Sequence, residues 1–260
     1  MSNRIDMERI IKKLSKSIFH KHLTTKPSYY IEITKIFKNY DEVPCILRHP
    51  IIRKNDESIS LFLSTLKNSI YSLDSRLVGV LCSGSGLLTQ ELVRTYHNDK
   101  FNVHHFDFSK IMLKQYDLAE KKFLVDLSKP IKIPHKYDVV LSLGNLRYFS
   151  DCLSVFSENI RKLMKKNGVL LLGEVDEELI SSFVGLLDQK GFSYQIASKR
   201  GTVFRNTLFY LILNKFKNDS EFRKKVLSRC ALLRLSYEEI LIKLAGFKKV
   251  KYLYCVGRSY

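Results

Sequence analysis

The stretch Leu81-Cys82-Ser83-Gly84-Ser85-Gly86-Leu87-Leu88 sets two glycines and two serines between an apolar run and a helical pattern. Glycine is needed where the backbone takes positive φ or approaches a ligand closely. Backbone N–H groups at such a helix start face ligand oxygens. Cys82, Ser83, Gly84 and Gly86 are therefore candidate ligand-binding residues, although Gly-Ser-Gly also occurs in ordinary turns. Twenty-one residues after Gly86 comes Asp107, at the end of a second apolar run. A carboxylate there can accept hydrogen bonds from the ribose hydroxyls of a nucleoside bound across strand ends. It can equally cap the helix that starts near Ser109. Asp126 follows a third run, where an acceptor can meet an adenine amino group or close a turn ahead of Pro130. Ser142, Leu143, Gly144 and Asn145 end a fourth run beside the same crevice, with Gly144 also readable as a plain turn glycine.

The elements that would position these residues follow from apolar periodicity. Short apolar runs at 77–82, 102–106, 122–125, 137–142 and 168–173 alternate with helical patterns at 87–97, 109–120 and 151–166. Strands alternating with helices predict βαβ units and a parallel sheet. Right-handed crossovers then give an α/β, Rossmann-like, doubly wound and mainly parallel sheet with helices on both faces. Ahead of it, residues 5–20, 28–39 and 57–72 carry helical stripes, so 1–75 reads as an N-terminal helical cap or lid, followed by a Rossmann domain over 76–216.

The last third has two readings. In the first, strands 192–198 and 203–214 form an antiparallel hairpin, and 217–260 is a C-terminal helix-strand appendage. In the second, 203–230 is an inserted helical lid, and the helix 236–245 and strand 248–256 belong to the sheet. The first is preferred because the second leaves no sequence for the final strand.

These features resemble the class I S-adenosylmethionine-dependent methyltransferases over residues 76–175. The resemblance rests on VLCSGSG, on the Asp107-Phe108-Ser109-Lys110-Ile111-Met112-Leu113 segment, and on Val125-Asp126. It continues through Tyr137-Asp138-Val139-Val140-Leu141-Ser142 and through Lys166-Asn167-Gly168, which is similar to the family's Pro-Gly-Gly. No single motif is specific, but five in register are. The resemblance implies a methyltransferase enzyme with S-adenosyl-L-methionine as cofactor. Gly84 and Gly86 would line its methionine part, with Cys82 and Ser83 in the same turn. Asp107 and the adjacent Phe108 would face the ribose, Asp126 and Leu127 the adenine edge, and Ser142, Gly144 and Asn145 the sulfonium region. Two departures stand out. The family usually has an acidic residue at Val80 and a first glycine at Cys82. Losing that carboxylate removes a charged hydrogen bond that contributes about 1.5–3 kcal/mol.

Catalytic candidates are few. Tyr148 follows the fourth strand and can enter the pocket, with packing as the competing reading. Tyr29 and Tyr30 are substrate-lid candidates in the cap. His104 and His105 read as core residues, and His135 as surface. His20 and His22 lack a third ligand, and the five scattered cysteines contain no C-x-x-C pair, so no metal site is expected.

The chain has 260 residues and a formal charge of +18, with 45% hydrophobic and 27% charged residues. That balance excludes a disordered or collagen-like chain. No apolar run reaches the roughly 20 residues of a membrane helix. No secretory signal is read at the N-terminus, so the expected location is cytoplasmic. The 30 Lys and 14 Arg attract anions, and residues 189–235 hold 11 basic against 2 acidic residues. The expected substrate is a small or acyl-carrier-bound metabolite methylated on O or N. A nucleic-acid (RNA) methyltransferase using the basic 189–235 surface is one alternative, and a non-catalytic, methyltransferase-like binding subunit is another.

Overall fold

The computed structural model describes residues 50–114, 118–204 and 206–260. The part of the expected cap before residue 50, including Tyr29, Tyr30, His20, His22 and Cys45, lies outside the described residues. The elements run in the order α1 (Pro50–Asn55), α2 (Ser58–Ser69), β1 (Leu77–Leu81), α3 (Leu87–Thr95), β2 (Asn102–Asp107), α4 (Lys110–Lys114), β3 (Lys121–Leu124) and β4 (Tyr137–Leu143). A 3-10 turn at Leu146–Phe149 leads to α5 (Leu153–Leu163), β5 (Met164–Glu174), α6 (Glu177–Asp188), β6 (Phe192–Phe204), α7 (Asn206–Asn218), α8 (Ser220–Leu233), α9 (Tyr237–Ala245) and β7 (Phe247–Ser259).

The seven strands form one sheet in the order β3-β2-β1-β4-β5-β7-β6. The β1–β2, β1–β4, β2–β3 and β4–β5 pairs are parallel, and β7 runs antiparallel to β5. This agrees with the expected doubly wound sheet. The order reverses between β1 and β4, so the loops after β1 and β4 diverge at the carboxyl rim, where open α/β sheets bind ligands.

Buried strands of a parallel sheet read as continuous apolar runs because both faces are covered, and β1 and β4 behave so. One face packs Leu170, Leu172, Leu253 and Cys255 against Phe156 and Ile160 of α5 and Phe183 and Leu187 of α6. On the other, Phe62 of α2 meets the ring of Tyr254 at 6.1 Å between centroids. Gly173 makes this possible, since a Cβ there would stand 2.9–3.1 Å from Leu143, Tyr254 and Phe62. Phe62 and Leu66 are fully buried, each contributing roughly 1.5–3 kcal/mol. Helix α2, read from sequence as part of the cap, is thus one of the layers covering the sheet.

Two further expectations change. The expected 203–214 strand does not form: Val203 and Phe204 are the end of β6, a single strand from Phe192, and no hairpin follows. Asn206–Asn218 is helical, and the partner of β5 is β7, so 248–256 belongs to the sheet rather than to an appendage. The cause is packing. The continuous run Tyr252, Leu253, Tyr254 and Cys255 is buried on both faces of the sheet, while Phe209, Ile212, Leu213 and Phe216 fall on one helical stripe and are buried along it. The helix expected over 151–166 ends at Leu163. Met164 pairs with Tyr137 and starts a longer strand.

The chain divides into two compact units. One comprises Glu57–Thr202 with Lys249–Tyr260 and contains the carboxyl rim of β1, β2 and β4. The other holds 50–56 with Val203–Lys248. In it, Asp219 caps α8, Ser236 and Glu239 form a capping box on α9, and Phe216 stacks on Tyr237 at 5.1 Å. No helix among the described residues is long and apolar enough to cross a membrane.

Candidate nucleoside-binding crevice

The glycine turn links β1 to α3. Ser83 N donates to Phe106 O at 3.0 Å, which fastens the turn to β2, and Gly86 N donates back to Ser83 O at 3.0 Å. Gly84 (φ +54) and Gly86 (φ +78) both occupy the left-handed region, and a Cβ on Gly84 would meet nothing closer than 4.0 Å. Cys82 also takes a left-handed backbone, at φ +49. The position thus keeps the conformation for which the family uses glycine, and bears its strain. Burial, then the nearby Asp107 and Asp126 carboxylates, push its thiol well above the ordinary range. A left-handed backbone costs a non-glycine residue about 1–2 kcal/mol, and glycine's extra chain entropy offsets about half. Cys82→Gly should therefore raise stability by up to about 1 kcal/mol, read from the urea midpoint. A lower midpoint would show that thiol packing outweighs strain. Asn167 repeats the pattern at φ +60 where the family has glycine.

Asp107 sits at the carboxyl end of β2 and is 5% exposed. Its Oδ2 accepts from Gly84 N at 2.8 Å and its Oδ1 from Ser109 N at 2.8 Å. The carboxylate therefore bridges the glycine turn and the start of α4, as the helix-capping reading expects. Burial pushes its pKa up to about 6, against the pull of the Ser109, Gly84 and Phe108 N–H groups. Phe108, half-buried, follows it directly.

Asp126 closes a turn. Its Oδ1 accepts from Ser128 N at 3.0 Å and Ser128 Oγ at 2.5 Å, and Lys129 lies 3.2 Å from Oδ2. Burial works against the charge, but the Ser128 bonds and Lys129 prevail and hold its pKa below the usual value. Leu127 is buried in the core. Ser142 is buried at the end of β4. Gly144 (φ +69) has open space around it, and its N–H donates to Gly173 O at 2.7 Å. Asn145 precedes the 3-10 turn that carries Tyr148, whose ring packs on the core cluster.

The two β2 histidines are structural. His105 meets Thr89 Oγ1 at 2.6 Å and His104 Nδ1 meets the Tyr137 hydroxyl at 2.8 Å, and burial lowers both pKa values, His105 to about 4. No cluster of three metal-ligating side chains exists among the described residues.

Four buried side-chain oxygens at or beside this rim have no hydrogen-bond partner among the described residues: Ser83 Oγ, Ser142 Oγ, Glu174 Oε2 and the Tyr254 hydroxyl. Sequence reasoning singled out the two serines and missed Glu174 and Tyr254. The signal for Glu174 was a charged residue directly after the apolar Gly168–Gly173 run.

The fold is similar to that of known enzymes. Coclaurine N-methyltransferase, bound to N-methylheliamine and S-adenosylhomocysteine, superposes with a TM-score of 0.54 at 13% identity, covering 97% of this chain and 95% of that one. Phospholethanolamine N-methyltransferase 2 of Haemonchus contortus gives 0.55 at 13%, covering 88% and 59%. NodS, an N-methyltransferase of Bradyrhizobium japonicum, gives 0.51 at 12%, covering 89% and 98%. The chain has the class I methyltransferase fold. No protein-family model matches it. A 114-residue alignment, 38% of the chain, is 32% identical to the highly reducing polyketide synthase GPY1 of Gibberella fujikuroi and spans 4% of that protein's length.

Within this methyltransferase fold the basic 189–235 stretch is split between the two units. Lys190 is paired with Glu158 and Lys225 with Glu221, and Arg223 donates to Lys217 O.

Proposed function

We propose that the chain is an S-adenosyl-L-methionine-dependent methyltransferase that methylates an O or N atom of a small or carrier-bound metabolite. The observation that carries this reading is the Asp107 carboxylate, held at the carboxyl rim against a left-handed glycine turn. Its oxygens accept from Gly84 N and Ser109 N, and the Phe108 N–H also bonds the carboxylate, which leaves about one of its four acceptor sites for a ribose hydroxyl. The buried hydroxyls of Ser83, in the same turn, and of Ser142, near the end of β4, have no partner among the described residues. These residues fit the cofactor. The methionine end would rely on Ser83 and the turn's backbone, because Val80 is a buried apolar residue. When bound, the cofactor supplies an electrophilic methyl group on a sulfonium. The chain's part is to hold an acceptor lone pair at near-attack distance and keep water out. The open space beside Gly144 leaves room for such an acceptor. The small-metabolite reading also draws support from the substrates in the names of the fold relatives. The carrier-bound reading draws on the short polyketide synthase match.

Ribose hydroxyls donate to a carboxylate but meet a competing proton on a carboxylic acid. Affinity for S-adenosylhomocysteine should therefore fall as pH drops through about 6, being about tenfold weaker at pH 5 than at pH 7. Calorimetric titration at several pH values checks this. A flat profile, or no binding, would contradict the assignment.

A further inference from the structure

Glu174 ends β5 and is 0% exposed. Its Oε1 accepts from Val175 N at 2.8 Å and faces Arg147 Nη2 at 3.5 Å. Its Oε2 is buried and has no partner among the described residues. The last β4–β5 pair is Leu143 with Gly173. Glu174 therefore stands one residue beyond it, beside the 142–145 segment. Alternation along β5 puts its side chain on the face of Leu170 and Leu172, the face to which Ser142 also belongs.

A buried carboxylate needs both charge compensation and hydrogen-bond donors. Arg147 supplies little of either. It lies at the outer limit of hydrogen bonding, addresses the other oxygen, and is itself 36% exposed. A neutral hydroxyl on Oε2 would fill the bond but leave the charge. An ammonium group, or a cationic nitrogen carrying N–H, supplies both. An anionic group is repelled. We infer that Glu174 Oε2 is the recognition point for a cationic nitrogen on the acceptor substrate. This rests on the proposed methyltransferase reading, and it narrows the substrate class to amines or to molecules bearing an amine beside the methylated atom. Arg147 then acts as a partial counter-charge in the absence of substrate.

The test uses three size-matched probes, n-butylammonium, n-butanol and butyrate, titrated into the full chain saturated with S-adenosylhomocysteine and followed by ligand-observed NMR. Butylammonium is expected to bind at least tenfold more tightly than butanol, with butyrate weaker still. Glu174→Gln should remove that preference while leaving S-adenosylhomocysteine affinity unchanged. Arg147→Ala should leave butylammonium binding equal or stronger. Equal binding of alcohol and amine, an unchanged preference in Glu174→Gln, or loss of amine binding in Arg147→Ala would overturn the inference. Absence of binding by all three probes would also overturn it, leaving water as the partner of Oε2. If Glu174→Gln fails to fold, the parent's amine preference and the Arg147→Ala result decide. If S-adenosylhomocysteine itself does not bind, the functional reading falls, and the same titrations on the unsaturated chain still decide the role of Glu174.

Discussion

Asp107→Asn is expected to weaken S-adenosylhomocysteine binding about 100-fold at pH 7.5. The amide loses one acceptor edge and its charge, and hydrogen bonds to charged groups each contribute about 1.5–3 kcal/mol. Loss of roughly 3 kcal/mol is a little over 100-fold in Kd. Folding should not weaken at that pH, because the amide oxygen can still accept from Gly84 N or Ser109 N and a buried charge is removed. The substitution also has an acid signature. Asp107 has a raised pKa in the folded chain, so its contribution to stability is present at low pH and is lost as pH rises through about 6. His105 is lowered to about 4, so its contribution is present above its unfolded value and is lost as pH falls toward 4. Each shift corresponds to about 3 kcal/mol, and between pH 4 and 6.5 the two oppose one another. Without Asp107, only the His105 dependence remains of this pair. Asp107→Asn should then lose about 3 kcal/mol relative to the parent between pH 7 and pH 4, read by urea titration at each pH. Unchanged cofactor affinity would remove the ribose assignment, and parallel pH profiles would remove the buried-carboxylate account.

Gly168→Ala is expected to be the most damaging single methyl in the sheet. A Cβ there would lie 2.8 Å from Lys165 O, 3.1 Å from Tyr137 O and 3.4 Å from Asp138 O. All three are backbone atoms at the start of the β4–β5 pairing, where the register already shifts between Tyr137 and Val139. Backbone oxygens cannot swing aside as a side-chain tip can. Overpacking of this kind costs about 3 kcal/mol, which lowers Tm by roughly 6–12 °C. Differential scanning calorimetry reads it directly. A Tm within 2 °C of the parent, allowing for about 0.7 kcal/mol, would mean that the close approach of β4 and β5 at Gly168 is not required.

Strands β1 and β4 and the Val169–Gly173 part of β5 were legible because parallel strands covered on both faces must be apolar throughout. Leu77–Leu81 and Tyr137–Leu143 announce themselves in that way, whereas the mostly exposed edge strand β3 was placed by the alternation of strands and helices. The region after residue 200 was not legible for a related reason. Val203-Phe204 and the later Leu208, Phe209, Ile212 and Leu213 form a dense apolar stretch that period alone reads as strand or buried helix. Only the partner decides, and the place beside β5 is taken by β7 through Leu253 and Cys255. At the crevice, the glycines and Asp107 were visible because their residue types are rare in those positions without a reason. Cys82 and Asn167 concealed glycine-like backbone behind ordinary side chains. Glu174 was hidden because a glutamate after an apolar run reads as solvated. Its burial comes from neighbours distant in sequence, Leu253 across the sheet and Arg147 beyond β4.

The most direct measurement is a crystal structure grown with saturating S-adenosylhomocysteine. The expected result is the ribose diol about 2.6–3.0 Å from the Asp107 carboxylate, with the ligand lying over the Ser83–Gly86 turn. A ligand seated elsewhere, or a crevice that stays closed to it at saturation, would contradict the assignment of this rim as a cofactor site.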